Sequence, residues 1–248
     1  NYSFWYQSSQ LALKQRSQQN KKAEEKKKEL EEFISRFSAN VAKSKQATSR
    51  KKMIEKLNIE EINPSSRRYP GIIFEQNRES GDQILTIENL PYKNIDRKID
   101  LILNKGDKLI LFSKDSKLTT SFYETIINTK GDNSFIKWGS TISKSFIPND
   151  NDSYFNNEMN LIDWLRQWSE NEEERKEDYI RSFLGKMIFS GDEALKSCKV
   201  LSGGEKVRCM LSKMMMEKSN FLLFDDPTNH LDLETITALN NSLINCKV

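Results

Sequence analysis

Two stretches hold the residues best suited to chemistry. Phe221–Asp232, FLLFDDPTNHLD, is an apolar run that ends in two carboxylates, Asp225 and Asp226. Carboxylates at the C-terminal end of a buried strand sit where ligands of open α/β sheets bind. There one can hold Mg²⁺ and its neighbour can orient an attacking water. Taken alone, the pattern serves structural capping equally well. Some twenty residues upstream lies Leu201-Ser202-Gly203-Gly204-Glu205, a spacing that fits one helix plus one strand. A serine and two glycines opening a helix present N–H and O–H donors, and the helix dipole favours an anion beside them.

The elements that must position these residues follow from periodicity. Val207, Leu211, Met214 and Met215 recur at helical spacing after the Ser-Gly-Gly turn, with the methionines read as core. Leu161, Trp164, Leu165 and Trp168, then Ile180, Phe183, Leu184 and Met187, predict a small helical subdomain at about 151–197. Strands are expected at Ile84–Ile87, Lys108–Phe112, Ser134–Trp138 and Ser143–Ile147, with a helix at about Leu118–Ile127. The turn-rich stretch Asn63–Gly71 marks the entry to this domain.

Ahead of it the chain changes character. Gln10 to about Phe37 has no Pro or Gly and sets opposite charges four apart, as in Glu24/Lys28, Lys27/Glu31 and Lys28/Glu32. Its thin apolar stripe (Leu30, Phe33, Ile34, Phe37) suits a projecting helix paired with a second, from about Gln46 to Leu57, that offers Met53, Ile54 and Leu57. Residues 1–58 carry 14 Lys/Arg against 6 Asp/Glu, whereas the remainder carries 25 against 30, so the basic surface is local. Six basic residues lie between Lys43 and Lys56 beside the single acid Glu55. Such a run is ordinarily a solvated face. Concentrated near a hairpin tip, it also suits salt-dependent contact with a phosphate backbone.

Composition excludes other classes. No run approaches the roughly 20 apolar residues of a membrane span, and the aromatic start Asn1–Tyr6 lacks the layout of a signal peptide, so a cytoplasmic location is expected. Cys198, Cys209 and Cys246 have neither disulfide-framework nor zinc spacing. Lacking an initiator Met and opening on what reads as the tail of an aromatic strand, the chain is expected to be an internal piece of a longer protein.

LSGGE at 201–205 resembles the signature loop of the ATP-binding cassette, Phe221–Asp225 its Walker B strand, and Asn229–Asp232 its D-loop. PTNHLD behind a charged helical hairpin, with the run Ala39–Lys52, is similar to the ABC-F subfamily, in its YkpA/YbiT-like branch. The resemblance implies an α/β, P-loop NTPase-like nucleotide-binding domain with a helical subdomain, preceded by an antiparallel helical hairpin. Residues 1–6 would end a first cassette, 7–62 form the interdomain linker and 63–248 belong to a second cassette. It further implies an ATPase using ATP and Mg²⁺, with a first cassette in the same polypeptide as partner. The linker would meet tRNA and 23S rRNA on the ribosome through Lys43, Lys45, Arg50, Lys51 and Lys52. Ser202, Gly203, Gly204 and Glu205 would serve nucleotide held by the opposite cassette, together with Asp232. Thr120 and Asp225 would hold the metal, Asp226 would take the catalytic place of a glutamate, and Asn149 that of the Q-loop glutamine.

The Walker A loop departs from this pattern. Where GxxxxGK[ST] belongs, the chain has Ser113-Lys114-Asp115-Ser116-Lys117-Leu118-Thr119-Thr120. The glycines are gone, Thr119 stands in the lysine's place, and only the Thr120 hydroxyl is kept. Lys114 or Lys117 are the candidate substitutes, and Thr119 would lie at the phosphates. Alone, the chain is expected to hydrolyse little ATP. The alternatives are a cassette that senses nucleotide without hydrolysing it, and the energising subunit of a transporter.

Overall fold

The computed structural model describes residues 2–37, 44–55, 68–92, 98–129 and 133–246. The chain divides into two compact units, Asn1–Ser66 and Arg67–Val248.

The first unit contains α1 (Tyr2–Phe37) and α2 (Ser44–Glu55). The aromatic start is therefore helix, not the tail of a strand. With no Pro or Gly before Phe37, nothing in the sequence interrupts backbone hydrogen bonding, and helix continuity overrides the β preference of Tyr, Phe and Trp. The expected pair Lys27–Glu31 forms at 3.9 Å, and Glu32 pairs with Arg36 at 3.6 Å.

In the second unit, β1 (Gln83–Leu90), β2 (Ile99–Asn104) and β3 (Ile136–Trp138) make an antiparallel sheet in the order β2-β1-β3. Leu85 faces Leu103 and Trp138, and Ile87 faces Leu101 and Ile136. Between these strands lies α3 (Ser116–Asn128), whose Phe122 and Ile126 complete this smaller core. A second, parallel sheet pairs β4 (Lys144–Ile147) with β5 (Phe221–Phe224).

The larger core packs α4 (Leu161–Arg166), α5 (Glu177–Lys186) and α6 (Gly203–Glu217) around a fully buried Trp164, which stacks on Phe155 at 4.7 Å. Met210, Met214, Met215 and Met216 are buried there as gap fillers. Helix α7 (Leu233–Asn245) buries Leu239 against the same core. Two ion pairs fix the C-terminal end of α6: Lys213 with Glu217 at 2.6 Å, and Lys218 with Glu174 at 2.9 Å. The Ser145 hydroxyl on β4 donates to Glu217, so the strand leading to Asn149 is tied to α6. Cys198 and Cys209 are buried free thiols, both raised in pKa chiefly by burial.

The expected strand at Lys108–Phe112 has no ladder partner among the described residues, while β2, which the sequence reading passed over, does. Leu109, Ile110 and Phe112 are exposed, Phe112 at 92%. An apolar run becomes a strand only where another backbone edge meets its N–H and C=O groups. Here Lys108 instead donates its ammonium to the Ile244 carbonyl at 2.9 Å, and Leu109 and Leu111 line an apolar cavity of about 650 Å³ with Phe122, Leu223 and Leu243. No described helix is long and apolar enough to cross a membrane.

Candidate functional site

Helix α6 begins where Ser202 caps it. The Ser202 side chain accepts from the Glu205 N–H, and the Glu205 carboxylate accepts from the Ser202 N–H at 2.9 Å and hydroxyl at 2.8 Å. This reciprocal capping box satisfies two donors that a helix start otherwise leaves unpaired. Glu205 also accepts from Lys196 at 2.8 Å. Burial pushes its carboxyl up, but Lys196 and the Ser202 donors outweigh that and pull it down to about 2. Glu205 is thus engaged within the chain. The Ser202 donors are likewise taken up, so the outward-facing capacity of the turn rests on the first-turn N–H groups of Gly203 and Gly204, which have no intrahelical carbonyl to meet.

These glycines have a second, steric reason. A Cβ on Gly204 would stand 2.6 Å from the His230 carbonyl oxygen, and one on Gly203 would stand 3.0 Å from the His230 ring. His230 has φ 65° and packs directly on the loop. The same turn carries Asn229, whose side-chain amide donates to Asn149 Oδ1 at 3.1 Å and to Asp226 Oδ2 at 2.9 Å. Asp226, exposed and at φ 49°, therefore meets Asn149 through a bridging amide that the sequence did not reveal. Asp232 caps α7 by accepting the Thr235 N–H at 2.7 Å, and it lies 3.5 Å from Arg208. Its carboxylate is engaged within the chain as well.

Asp225 directly follows β5. It is buried, and its Oδ2 accepts the Thr120 hydroxyl at 2.6 Å. A hydroxyl and a carboxylate brought together in this way fit Mg²⁺, for which both are hard oxygen ligands. The residues around them do not fit a triphosphate. Asp115 caps α3, its Oδ1 accepting the Lys117 N–H at 3.0 Å. Its carbonyl accepts from the Leu118 N–H at 3.2 Å and the Thr119 hydroxyl at 3.4 Å, and its own N–H donates to Ser113 Oγ at 3.1 Å. Thr119 thus turns its hydroxyl to the chain, and Lys114 and Lys117 are exposed. Asp115 was missed in the sequence reading, although an aspartate just before a predicted helix is an ordinary capping signal.

Of the basic hairpin residues, Lys51 and Lys52 are exposed on α2. The Arg50 guanidinium lies 3.5 Å over the Phe33 ring, which commits it to joining the helices. Lys45 falls on α2, and Lys43 lies outside the described residues.

The ABC transporter extension model matches residues 1–74, and the ABC transporter model matches residues 116–229. The uncharacterized ABC transporter ATP-binding protein YkpA of Bacillus subtilis (strain 168) is 50% identical over 254 residues, covering 100% of this chain and 46% of that protein. The probable ATP-binding protein YbiT of Escherichia coli O157:H7 is 38% identical, covering 87% of the chain and 41% of that protein. ABC transporter F family member 2 of Arabidopsis thaliana is 29% identical, covering 89% and 34%. This chain spans less than half the length of these relatives. A solved inward-facing structure of a putative metal-chelate type ABC transporter shares the fold, with a TM-score of 0.50 at 19% identity over 67% of this chain and 68% of that one. The strand-end carboxylates and the capped Ser-Gly-Gly turn lie within the segment 116–229 that the ABC transporter model matches. Half-identical along its whole length to an ATP-binding protein of this kind, the chain belongs to the family of ABC ATP-binding proteins.

Proposed function

We propose that the chain is the linker and second cassette of a two-cassette, ABC-F-type ATPase that works in the cytoplasm on the ribosome. The observation that carries this reading is the combination in one chain of a basic helical hairpin with a cassette whose Ser202–Gly204 turn is built and presented. Such a turn serves nucleotide held by an opposite cassette, and the matched relatives are long enough to contain one. Likeness to ABC transporter F family member 2 and to YheS of Escherichia coli (strain K12) supports the F-type assignment. The hairpin would engage tRNA and 23S rRNA through the phosphate backbone, with the exposed Lys51 and Lys52 of α2 among the contacting residues.

The stacking of Arg50 on Phe33 decides which variant tests this. Replacing Arg50 would loosen the hairpin itself, so the informative change is Lys45→Ala, Lys51→Ala and Lys52→Ala together in the intact polypeptide. Co-sedimentation with ribosomes across a salt series should show weaker binding. Each lost phosphate contact should flatten the log–log salt slope by roughly 0.7 to 0.9. Unchanged affinity and slope would remove RNA contact from the hairpin. Co-purification with an integral membrane protein would favour the transporter-subunit reading instead.

A further inference from the structure

We infer that the 113–120 loop is closed to nucleotide by the chain's own Asp115, so that this cassette lends its signature turn to a neighbouring site and holds no nucleotide of its own. The closure is read from this loop alone; the lending of the signature turn and the expected count of one nucleotide rest on the two-cassette proposal.

The backbone donors give the first reason. A loop that wraps phosphates must aim consecutive N–H groups at them. Here the N–H groups of Asp115, Lys117 and Leu118 are already bonded to Ser113 Oγ, Asp115 Oδ1 and the Asp115 carbonyl. Charge gives the second. The Asp115 carboxylate occupies the positive end of α3, where an anion is most stabilised, and it would repel a phosphate brought to the same place. Shape gives the third: Ser113, Ser116 and Leu118 carry side chains where close backbone approach needs glycine, and no lysine stands at 119. The Thr120–Asp225 bond at 2.6 Å, although it fits a cation, meanwhile satisfies the hydroxyl within the chain. By contrast, the α6 turn keeps both glycines, and Gly203 is exposed.

The test counts bound nucleotide on the purified intact polypeptide, by equilibrium dialysis with Mg²⁺ and a non-hydrolysable ATP analogue. One equivalent per chain is expected, and Lys114→Ala with Lys117→Ala should leave that count at one. Two equivalents in the natural protein, or a drop on removing the two lysines, overturns the inference. A count of zero leaves it standing and removes the two-cassette proposal. Restoring the loop by Ser113→Gly, Asp115→Asn, Ser116→Gly, Leu118→Gly and Thr119→Lys together should add a second equivalent. A folded variant that stays at one would show that something other than this loop closes the site. Ribosome binding plays no part in the count, so the two proposals fail separately.

Discussion

The starts of α3 and α6 meet the same local requirement by opposite means. Each needs a side chain to satisfy N–H groups that the helix cannot. At α3 the cap is Asp115, a carboxylate that brings its own negative charge to the helix start. At α6 the cap is Ser202, a neutral hydroxyl, and the charge that completes the box sits one turn along at Glu205, where Lys196 balances it. The first end is chemically finished and the second keeps a polar face for something else. Capping stabilises both helices, so helix stability alone does not tell a binding end from a closed one. What separates them is whether the cap itself fills the anion position.

The sharpest way to break this comparison is Gly204→Ala. Its new Cβ would lie 2.6 Å from the His230 carbonyl oxygen, a backbone atom that cannot swing away. Alanine's better helix propensity gives back only about 0.5–1 kcal/mol, against an overpacking cost of typically about 1–3 kcal/mol. A lower Tm is expected, and His230→Ala should not restore it because the carbonyl remains. Gly203→Ala meets only the His230 side chain, its ring at 3.0 Å and its Cβ at 3.2 Å, so its smaller cost should be relieved in part by His230→Ala, which removes the ring and keeps the Cβ. Equal behaviour of the two glycines in thermal melts would show that His230 does not shape this turn.

Asp115→Ala sharpens the other side. It removes the α3 cap and should cost about 0.5–2 kcal/mol, as caps generally do, whereas Asp115→Gly should cost only a few tenths. Denaturant titration distinguishes them, and a loss of the same size for glycine would mean that the aspartate does more than cap.

How much of this was legible depended on how local each signal was. The Phe221–Phe224 strand and the α6 period could be read because spacing specifies them within a few residues, whereas Thr120 and Asp225, 105 residues apart, are named together only by the family resemblance. The aromatic start and the 108–112 run misled for a shared reason. Residue type suggests a strand, but only a partner edge makes one, and β2 found that edge through alternating Ile99, Leu101 and Leu103. The Asn229 bridge joins the loop after β4 to the turn after β5, and the His230 contact joins that turn to α6. Both are made by loops that meet only once the sheet has formed, and no sequence spacing encodes them. Asp115 is a local signal of the same kind as the α6 cap, an aspartate just ahead of a helix, but the family's phosphate-loop pattern has no place for it.

The smallest expected effect concerns the charge that separates the two ends. Glu205 is held at about 2, well below its ordinary 4.5, so it binds protons less readily folded than unfolded. Its contribution is therefore fully present above about pH 4.5 and is lost as pH falls toward 2. Glu205→Gln should lower stability at neutral pH by about 0.3–1.5 kcal/mol, the range for a single capping or charge–dipole feature. That gap should close as natural protein and variant are melted at successively lower pH. Replacing Lys196 by Met should shrink it too, since Lys196 is the principal group drawing the carboxyl down. A gap that stayed constant down to pH 2 would mean that Glu205 supports α6 by packing, and the contrast between a balanced charge at α6 and a site-filling charge at α3 would lose its electrostatic basis.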